Sequence, residues 1–474
     1  MTRIYAITDS HQESRNLSQL LSGIYNAEKH NNTPFLILDA GDLFKGIYDK
    51  NLSVNAYIKI KKLLPQAQIY LTLGNNDFGF KKSDFEYLKE TITTFKNAGI
   101  HMVCANIIDS NTKTKPDWIT EYEIIELNGE KILIIGFCLN NSCAKKFGYD
   151  LISAEESYDK LIKNIKEKYD KIIVLNHHWY TYSKALKEFA PEIDLIIGGH
   201  EHSPITPDYE NNIFYPLSFA RTLFQMDFAE KISNIEQIPV TDFPLAPEFE
   251  VPIVEYEQKI GLKKPIAKRV LNLTKKYSDA CPLGTFISDA MRKAGNTDIA
   301  FHSTGFTMYP MRLEDSEFIT KYDIDQVICA TSTIEKTNIN VEQLKEIFEN
   351  TAIYRMHKDR GNQKFLQCSQ NMCIEGKCTK DKDYKIIQIS IDGENLLDKK
   401  GNPIDPNRTF SCTIDPYIGS GEQGFLTLKD LPKTKILKRG KEIPINELFR
   451  NALIEAEKNF DGNPNYPSFQ YLDL

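Results

Sequence analysis

The stretch that decides the fold is Ile196-Ile197-Gly198-Gly199-His200-Glu201-His202. Within it an apolar run ends at two glycines, and two histidines follow at a spacing of i and i+2. This pattern is typical of a buried strand that delivers metal ligands at its carboxyl end, because glycine permits a tight turn and imidazole commonly ligates metals. Taken alone, the stretch fits two interpretations equally well: a strand end that carries metal ligands, and a polar loop that happens to hold two histidines.

Four upstream clusters of Asp, Asn and His favour the metal interpretation, because each directly follows an apolar, strand-like run. They are Asp9-Ser10-His11, Asp39-Ala40-Gly41-Asp42, Gly74-Asn75-Asn76-Asp77 and Asn176-His177-His178. Amphipathic, helix-like segments separate these runs. The alternation of strands and helices predicts an α/β sandwich whose polar clusters meet along one rim, since parallel strands present their carboxyl ends at the same edge.

The candidate metal ligands all occupy these predicted strand ends. They are Asp9, His11, Asp42, Asn75, His177, His200 and His202. Two divalent cations a few ångströms apart require a bridging carboxylate together with further oxygen and imidazole ligands, and this set supplies both. Each cluster alone is a weak signal, because a Gly-Asp pair usually marks a turn. The ordered series D-x-H, G-D, G-N-x-D, apolar-x-His and G-H-x-H is far more specific.

Composition limits the functional classes. The chain has 474 residues, 41% of them apolar and 26% charged, with a net charge of −7. An acidic balance gives no support to nucleic-acid or membrane-surface binding, which usually needs basic patches. No secretory leader or membrane-length apolar run is visible, and the nine cysteines are scattered. We therefore expect a cytoplasmic protein with reduced thiols, without nucleic-acid or membrane partners.

The length predicts two domains. We place the first at residues 1–235 and the second, also α/β, at residues 263–474. Between them, residues 236–262 hold a cluster of prolines and a charged helical piece, which favours an interdomain linker.

These motifs resemble the metallophosphoesterase (calcineurin-like) superfamily, in its 5′-nucleotidase / UDP-sugar hydrolase / 2′,3′-cyclic nucleotide phosphodiesterase family. The resemblance is carried by Gly41 to Gly46, Cys104 to Asn106, Gly198 to His202, Pro282 to Arg292 and Gly421 to Phe425. It implies a four-layer α/β/β/α sandwich followed by an α/β substrate-specificity domain of the 5′-nucleotidase type. It also implies two divalent metal ions (Mn²⁺, Zn²⁺, Fe²⁺ or similar) and a small nucleotide-like substrate.

The resemblance also distributes the ligands between the two metals. It assigns Asp9, His11, Asp42 and His202 to one ion and Asp42, Asn75, His177 and His200 to the other, with Asp42 bridging. The reaction it implies is phosphoester hydrolysis. His178 is the weaker ligand candidate of its pair, because the family places the ligand two residues after the last apolar residue of the strand, Leu175. We expect His178 to pack beside the site or to serve as a proton source.

Asn76 marks the main departure from the family. It stands where the family carries a catalytic histidine, and Gly79 stands where that histidine has a carboxylate partner. An amide donates hydrogen bonds but cannot transfer a proton at neutral pH. Hydrolysis of a diester, a cyclic phosphate or an anhydride is therefore favoured. The alternatives are an orthodox 5′-nucleotidase, with His178 or water as proton source, and a metal-retaining nucleotide-binding protein without turnover.

The second domain departs from the family in its substrate residues. The arginine-bearing segment is replaced by Ser303 to Met308, and Arg312 follows four residues late. One stacking aromatic is missing, the other is retained as Tyr417, and Gln423 stands where an acidic residue is expected. The candidate substrate-binding residues are therefore Tyr417, Arg312 and Gln423. Stacking of a base on Tyr417 and a structural role for this tyrosine are both open.

Overall fold

A computed structural model describes the chain except at residues 80, 141, 203, 277–278, 308–310, 329–331, 357–364, 379–383, 422–423 and 474. The described residues form two compact units, Met1–Lys259 and Ile260–Leu474.

The first unit alternates strands and helices over most of its length. Its strands are β1 (Thr2–Ile7), β2 (Phe35–Asp39), β3 (Ala67–Thr72), β4 (Ile100–Val103), β5 (Ile107–Asp109), β6 (Tyr122–Leu127), β7 (Glu130–Cys138), β8 (Tyr149–Leu151), β9 (Lys171–His177), β10 (Leu195–Gly199), β11 (Ile213–Phe214), β12 (Thr222–Phe228) and β13 (Ile232–Pro239). Its helices are α1 (Ser14–Glu28), α2 (Lys50–Leu63), α3 (Lys82–Asn97), α4 (Ser142–Lys146), α5 (Ala154–Asn164), α6 (Tyr180–Phe189) and α7 (Pro247–Ile260).

Two sheets form the middle of this unit. One has the order β13-β12-β1-β2-β3-β4 and the other β11-β10-β9-β7-β6. Strands β1 to β4 are parallel to one another, as are β7, β9, β10 and β11. The carboxyl ends of each parallel set therefore lie along one edge of its sheet. The polar clusters directly follow these strand ends in sequence, so they lie at that edge.

The apolar side chains alternate between the two faces of each sheet, as strand geometry requires. Ile4 and Leu36 point to a buried cluster shared with Leu175 and Ile197 of the other sheet. The opposite face of the first sheet packs against α1, α2 and α3, and the outer face of the second sheet packs against α5 and α6. The predicted four-layer α/β/β/α sandwich is confirmed.

The segment 236–262, expected to be a linker, is instead folded into the first unit for most of its length. Strand β13 pairs with β12 as far as Pro239, and α7 buries Phe249 and Ile253. Two of the clustered prolines belong to α7: Pro247 begins it, where a missing N–H breaks no helical hydrogen bond, and Pro252 lies inside it. The boundary between the units falls after Lys259.

The second unit is also α/β. Its strands are β14 (Pro265–Lys268), β15 (Ile299–Ser303), β16 (Phe318–Thr320), β17 (Glu335–Asn340), β18 (Leu366–Cys368), β19 (Met372–Cys378), β20 (Tyr384–Ile391), β21 (Glu394–Asn395), β22 (Thr409–Ile414), β23 (Thr434–Lys435), β24 (Leu437–Lys438), β25 (Lys441–Glu442) and β26 (Gln470–Asp473). Its helices are α8 (Pro282–Gly295), α9 (Lys321–Val327), α10 (Val341–Met356), α11 (Pro416–Gly419), α12 (Leu426–Lys429) and α13 (Ile445–Lys458).

The larger sheets of this unit have the orders β18-β15-β22-β17-β23 and β21-β20-β19-β26. The cysteines whose side chains are described are free thiols. None of the helices in the described part of the chain has both the length and the apolar character needed to cross a bilayer. The cytoplasmic location stays a prediction.

Candidate metal centre

Both sheets of the first unit contribute side chains to one polar cluster. Asp9 and His11 follow β1, Asp42 follows β2, Asn75 follows β3, His177 ends β9, and His200 and His202 follow β10. Asp9, His11 and His202 offer ligand atoms that all lie within 4.8 Å of one another, and the same holds for Asp42, His177 and His200. Each group has the composition and spacing to hold one metal ion.

Asp42 connects the two groups. Its Oδ2 atom lies 3.6 Å from Nε2 of His11 in the first group and 3.3 Å from Nε2 of His177 in its own group. Asn75 joins the second group, because its Oδ1 atom lies 3.2 Å from Nε2 of His177. This carboxylate oxygen of Asp42 therefore lies near histidine nitrogens of both groups.

Hydrogen bonds orient two of the histidines for metal binding. Nδ1 of His177 lies 2.7 Å from the carbonyl oxygen of Ala40, and Nδ1 of His11 lies 3.3 Å from that of Phe44. A ring that donates from Nδ1 to a carbonyl keeps a lone pair on Nε2, and metal-ligating histidines are commonly fixed in this way. In both rings the Nε2 atom faces the other members of the cluster.

The charges of the cluster favour a bound cation. Burial opposes charge on His177, yet the neighbouring Asp42 carboxylate raises the pKa of His177 to about 10, so Nε2 holds a proton unless another cation neutralises that carboxylate. Burial, with His177 nearby, lowers the pKa of His200 to about 3, so this ring is neutral. Its Nε2 atom is buried without a hydrogen-bond partner among the described residues. Because such an atom is costly to bury unpaired, a divalent cation fits the cluster.

The backbone at four of the candidate ligands lies in the left-handed region. The φ angles are 47° at Asp9, 45° at His11, 57° at Asp42 and 75° at His200. Residues other than glycine rarely adopt this conformation, which costs of order 1–3 kcal/mol each, and such strain concentrates at functional sites. Gly74 packs closely against one of these residues, since a Cβ atom on Gly74 would lie 2.1 Å from Oδ1 of Asp42.

Comparison with known families agrees with this geometry. Residues 2–204 match the calcineurin-like phosphoesterase family, and residues 259–430 match the 5′-nucleotidase, C-terminal domain, family. The chain joins a calcineurin-like phosphoesterase domain to a 5′-nucleotidase C-terminal domain. It is a metal-dependent phosphoesterase with a 5′-nucleotidase C-terminal domain, as the resemblance implied.

Individual relatives of this metallophosphoesterase match most of its length. An apyrase from Tabanus yao is 26% identical, and the match covers 88% of this chain and 82% of the apyrase. The trifunctional nucleotide phosphoesterase protein YfkN of Bacillus subtilis (strain 168) is 22% identical over 82% of this chain and 30% of YfkN. The crystal structure of a 5′-nucleotidase precursor from Thermus thermophilus shares the fold over 99% of both chains, with 17% identity and a TM-score of 0.74.

Asn76 contacts Asp42 directly. Its backbone N–H donates to Oδ1 of Asp42 at 2.7 Å, and its side-chain Nδ2 donates to Oδ2 at 2.6 Å. Lys45 donates from Nζ to Oδ1 of Asn76 at 2.9 Å. The residue that departs from the metallophosphoesterase pattern therefore lies within the cluster, and Lys45, a residue without a predicted role, lies next to it.

His178 lies beside the cluster in a different environment. Burial, together with the charge of His177, lowers the pKa of His178 to about 4. Its Nδ1 accepts a hydrogen bond from the backbone N–H of Trp179, and its ring centroid lies 4.0 Å from that of Tyr182. These contacts favour a packing role. Service of His178 as a proton source stays a prediction.

Three further side chains, without a predicted role, support the cluster. Asp77 is buried and accepts hydrogen bonds from the backbone N–H groups of Asp42, Phe44 and Gly74, at 3.1, 3.0 and 2.7 Å. Asp77 is the last residue of the G-N-x-D cluster, and the sequence pattern did not predict a role for it. The rings of Phe219 and Trp179 pack against the histidines: Phe219 lies 5.2 Å from both His11 and His202, and Trp179 lies 4.1 Å from His200. No sequence pattern marked these rings.

The candidate substrate residues belong to the second unit. Tyr417 lies in α11, just after β22, and 45% of its surface is exposed. Strands β15 and β22 are parallel neighbours, so Ser303 and the Tyr417 helix lie at the same edge of their sheet. Arg312 is exposed, and its backbone N–H donates to Asp315 at 2.7 Å. Gln423 lies outside the described residues.

Proposed function

We propose that this metallophosphoesterase uses two metal ions to hydrolyse a nucleotide or a nucleotide-like phosphoester, with a diester, a cyclic phosphate or an anhydride as the bond that is cleaved. The observation that carries the proposal is a set of three contacts at Asp42. One carboxylate oxygen faces His11 and His177, and it also accepts the amide of Asn76, which stands where the family has a proton donor.

The proposed ligand sets follow the two groups of side chains. Asp9, His11, Asp42 and His202 hold one ion, and Asp42, Asn75, His177 and His200 hold the other. When bound, such ions polarise a phosphoryl oxygen and lower the pKa of the attacking water. Asp77 keeps the loop of Asp42 in place through three backbone N–H groups, so that Asp42 faces both sets.

The identity of the bond that breaks follows from Asn76. An amide cannot give a proton to the departing oxygen, and general-acid assistance is worth typically 10²–10⁴-fold in rate. An alkoxide leaving group, as in a nucleoside 5′-monophosphate, needs this assistance most. A leaving phosphate or aryl oxide is already a stable anion. Asn76 therefore supports the cleavage of esters and anhydrides with acidic leaving groups.

The second candidate function is an orthodox 5′-nucleotidase, because the C-terminal family match and the structural similarity both involve 5′-nucleotidases. A substrate panel separates the two. The Mn²⁺-loaded protein is assayed with bis-aryl phosphate, aryl monophosphate, 2′,3′-cyclic nucleotide, UDP-glucose and AMP. The proposal requires AMP to have the lowest kcat/KM. If AMP is the best substrate, the 5′-nucleotidase alternative is correct.

We further propose Tyr417, Arg312 and Gln423 as substrate-binding residues, with Tyr417 stacking on a nucleobase. Base stacking on an aromatic ring is worth ~1–3 kcal/mol. The Tyr417→Ala variant is therefore expected to raise KM for a nucleotide substrate by about tenfold and to leave KM for an aryl phosphate unchanged. Tyr417→Phe, which keeps the stacking face, serves as the control. Equal KM changes for both substrates would show that Tyr417 acts by packing its loop.

A further inference from the structure

Lys45 follows Asp42 in the Gly41 to Gly46 segment, and the backbone fixes its position tightly. Its φ angle is 73°, in the left-handed region. A Cβ atom on the next residue, Gly46, would lie 1.5 Å from the carbonyl oxygen of His11, and the N–H of Gly46 donates to Oε1 of Gln12 at 2.7 Å. The segment therefore packs closely against the residues that follow β1. This packing fixes the backbone position from which the side chain of Lys45 extends.

The contacts of Lys45 determine how the amide of Asn76 is oriented. Nζ of Lys45 donates to Oδ1 of Asn76, and Nδ2 of Asn76 donates to Oδ2 of Asp42. An ammonium group only donates hydrogen bonds, and a carboxylate only accepts them. A flipped amide would face the ammonium with its NH₂ group and the carboxylate with its oxygen. Only the observed orientation satisfies both neighbours, so Lys45 holds Asn76 towards Asp42.

We propose that Lys45 is a positioning residue that, together with Asn76, replaces the charge of the family's missing histidine and makes the enzyme selective for phosphoanhydrides. The inference rests on the proposed function of this site. Lys45 places a positive charge one hydrogen bond from Asn76, and Asn76 contacts the carboxylate that connects the two metal groups. Fixed charges aimed at a developing anion lower the barrier without proton transfer.

The reaction with an anhydride balances without a proton donor in the protein. Water adds to phosphorus, the P–O bond to the leaving phosphate breaks, and the electron pair stays on the leaving oxygen. The proton lost by the water passes to solvent. A leaving phosphate carries more negative charge than a leaving alkoxide or aryl oxide, so a nearby cation stabilises its departure most. Lys45 thus favours anhydrides among the bonds that Asn76 permits.

Charge-changing variants of the full-length, Mn²⁺-loaded enzyme test this inference. Lys45→Met removes the charge, Lys45→Arg keeps it, and Lys45→Gln keeps an N–H donor without it. Lys50→Met is the matched control, because the ammonium of Lys50 lies over the ring of Tyr87, 3.6 Å from its centroid, in the same stretch of sequence. The readouts are kcat and KM for ADP, an anhydride, and for bis(4-nitrophenyl) phosphate, a diester with an acidic leaving group.

We expect Lys45→Met and Lys45→Gln to lower kcat for ADP by about 30-fold or more and kcat for the diester by less than about threefold. Lys45→Arg is expected to stay within about fivefold of the wild type for both substrates, and Lys50→Met to leave both unchanged. Equal losses for the two substrates, or wild-type behaviour of Lys45→Met, would overturn the inference.

A binding measurement separates this inference from the proposed function. Inorganic phosphate, the common product, is titrated calorimetrically into the Mn²⁺-loaded wild type and into Lys45→Met. We expect phosphate to bind the wild type and to bind Lys45→Met at least about fivefold more weakly. A wild type that neither hydrolyses any substrate of the panel nor binds phosphate contradicts the proposed function. If the wild type hydrolyses a substrate and binds phosphate, and Lys45→Met binds phosphate with the same affinity, only the role of Lys45 is contradicted.

Discussion

Replacing Asp42 with asparagine is expected to lower kcat/KM by at least about 10³-fold, because one carboxylate oxygen serves both metal groups. The same change should remove bound metal from the protein, measured by elemental analysis after dialysis. The fold should persist, since an asparagine side chain can still accept the hydrogen bond from the N–H of Asn76. Circular dichroism and a thermal melt of the metal-free protein check this.

The matched control is Asp49→Asn. Asp49 is exposed and caps α2 by accepting a hydrogen bond from the N–H of Asn51, a role that asparagine also fills. This variant should keep wild-type activity and metal content. Retention of both metals and near-normal turnover in Asp42→Asn would show that Asp42 does not bridge the two ions.

The second large effect concerns the leaving group. With Asn76 where a proton donor is expected, rates should fall steeply as the leaving group becomes more basic, by about 10²-fold or more across a series of aryl phosphates. The Asn76→His variant introduces an imidazole that can transfer a proton. It should raise kcat for AMP by about tenfold or more and flatten the dependence on the leaving group.

In Asn76→His the new imidazole lacks the carboxylate partner that the family's histidine has. The family's carboxylate partner cannot be added at Gly79, where φ is +65° and a Cβ atom would lie 2.2 Å from Cβ of Asp84. Asn76→Ala is the control, because it removes the amide without adding a group that can transfer a proton near pH 7. A wild-type rate that is flat across the aryl series, with no gain from Asn76→His, would mean that another group protonates the leaving oxygen.

The sequence predicted the sandwich and its polar rim because both depend on local patterns. Apolar runs that end in Gly, Asp, Asn or His identify strand ends, and parallel pairing brings those ends together without further information. The seven candidate ligands thus lie in the order and at the strand ends that were expected. The linker predicted at residues 236–262 differs from the observed boundary after Lys259, because prolines signal a break in sequence, whereas Pro247 begins α7 and Pro252 lies inside it.

The supporting side chains could not be predicted, because their contacts depend on tertiary structure. Lys45 contacts Asn76 from a left-handed backbone position, beside a glycine that packs closely on His11, and a local sequence pattern does not reveal this contact. Phe219 approaches His11 and His202 from a segment far from His11 in sequence, which no local pattern reveals. Contacts of this kind can be identified only in the three-dimensional structure.

The most direct test of the two-metal centre is a crystal structure of the Mn²⁺-loaded protein, with anomalous diffraction data collected above the manganese absorption edge. We expect two anomalous peaks about 3.5–4 Å apart, with Asp42 contacting both and with His202 and His200 on opposite ions. One peak only, or two peaks without Asp42 between them, would contradict the two-metal centre.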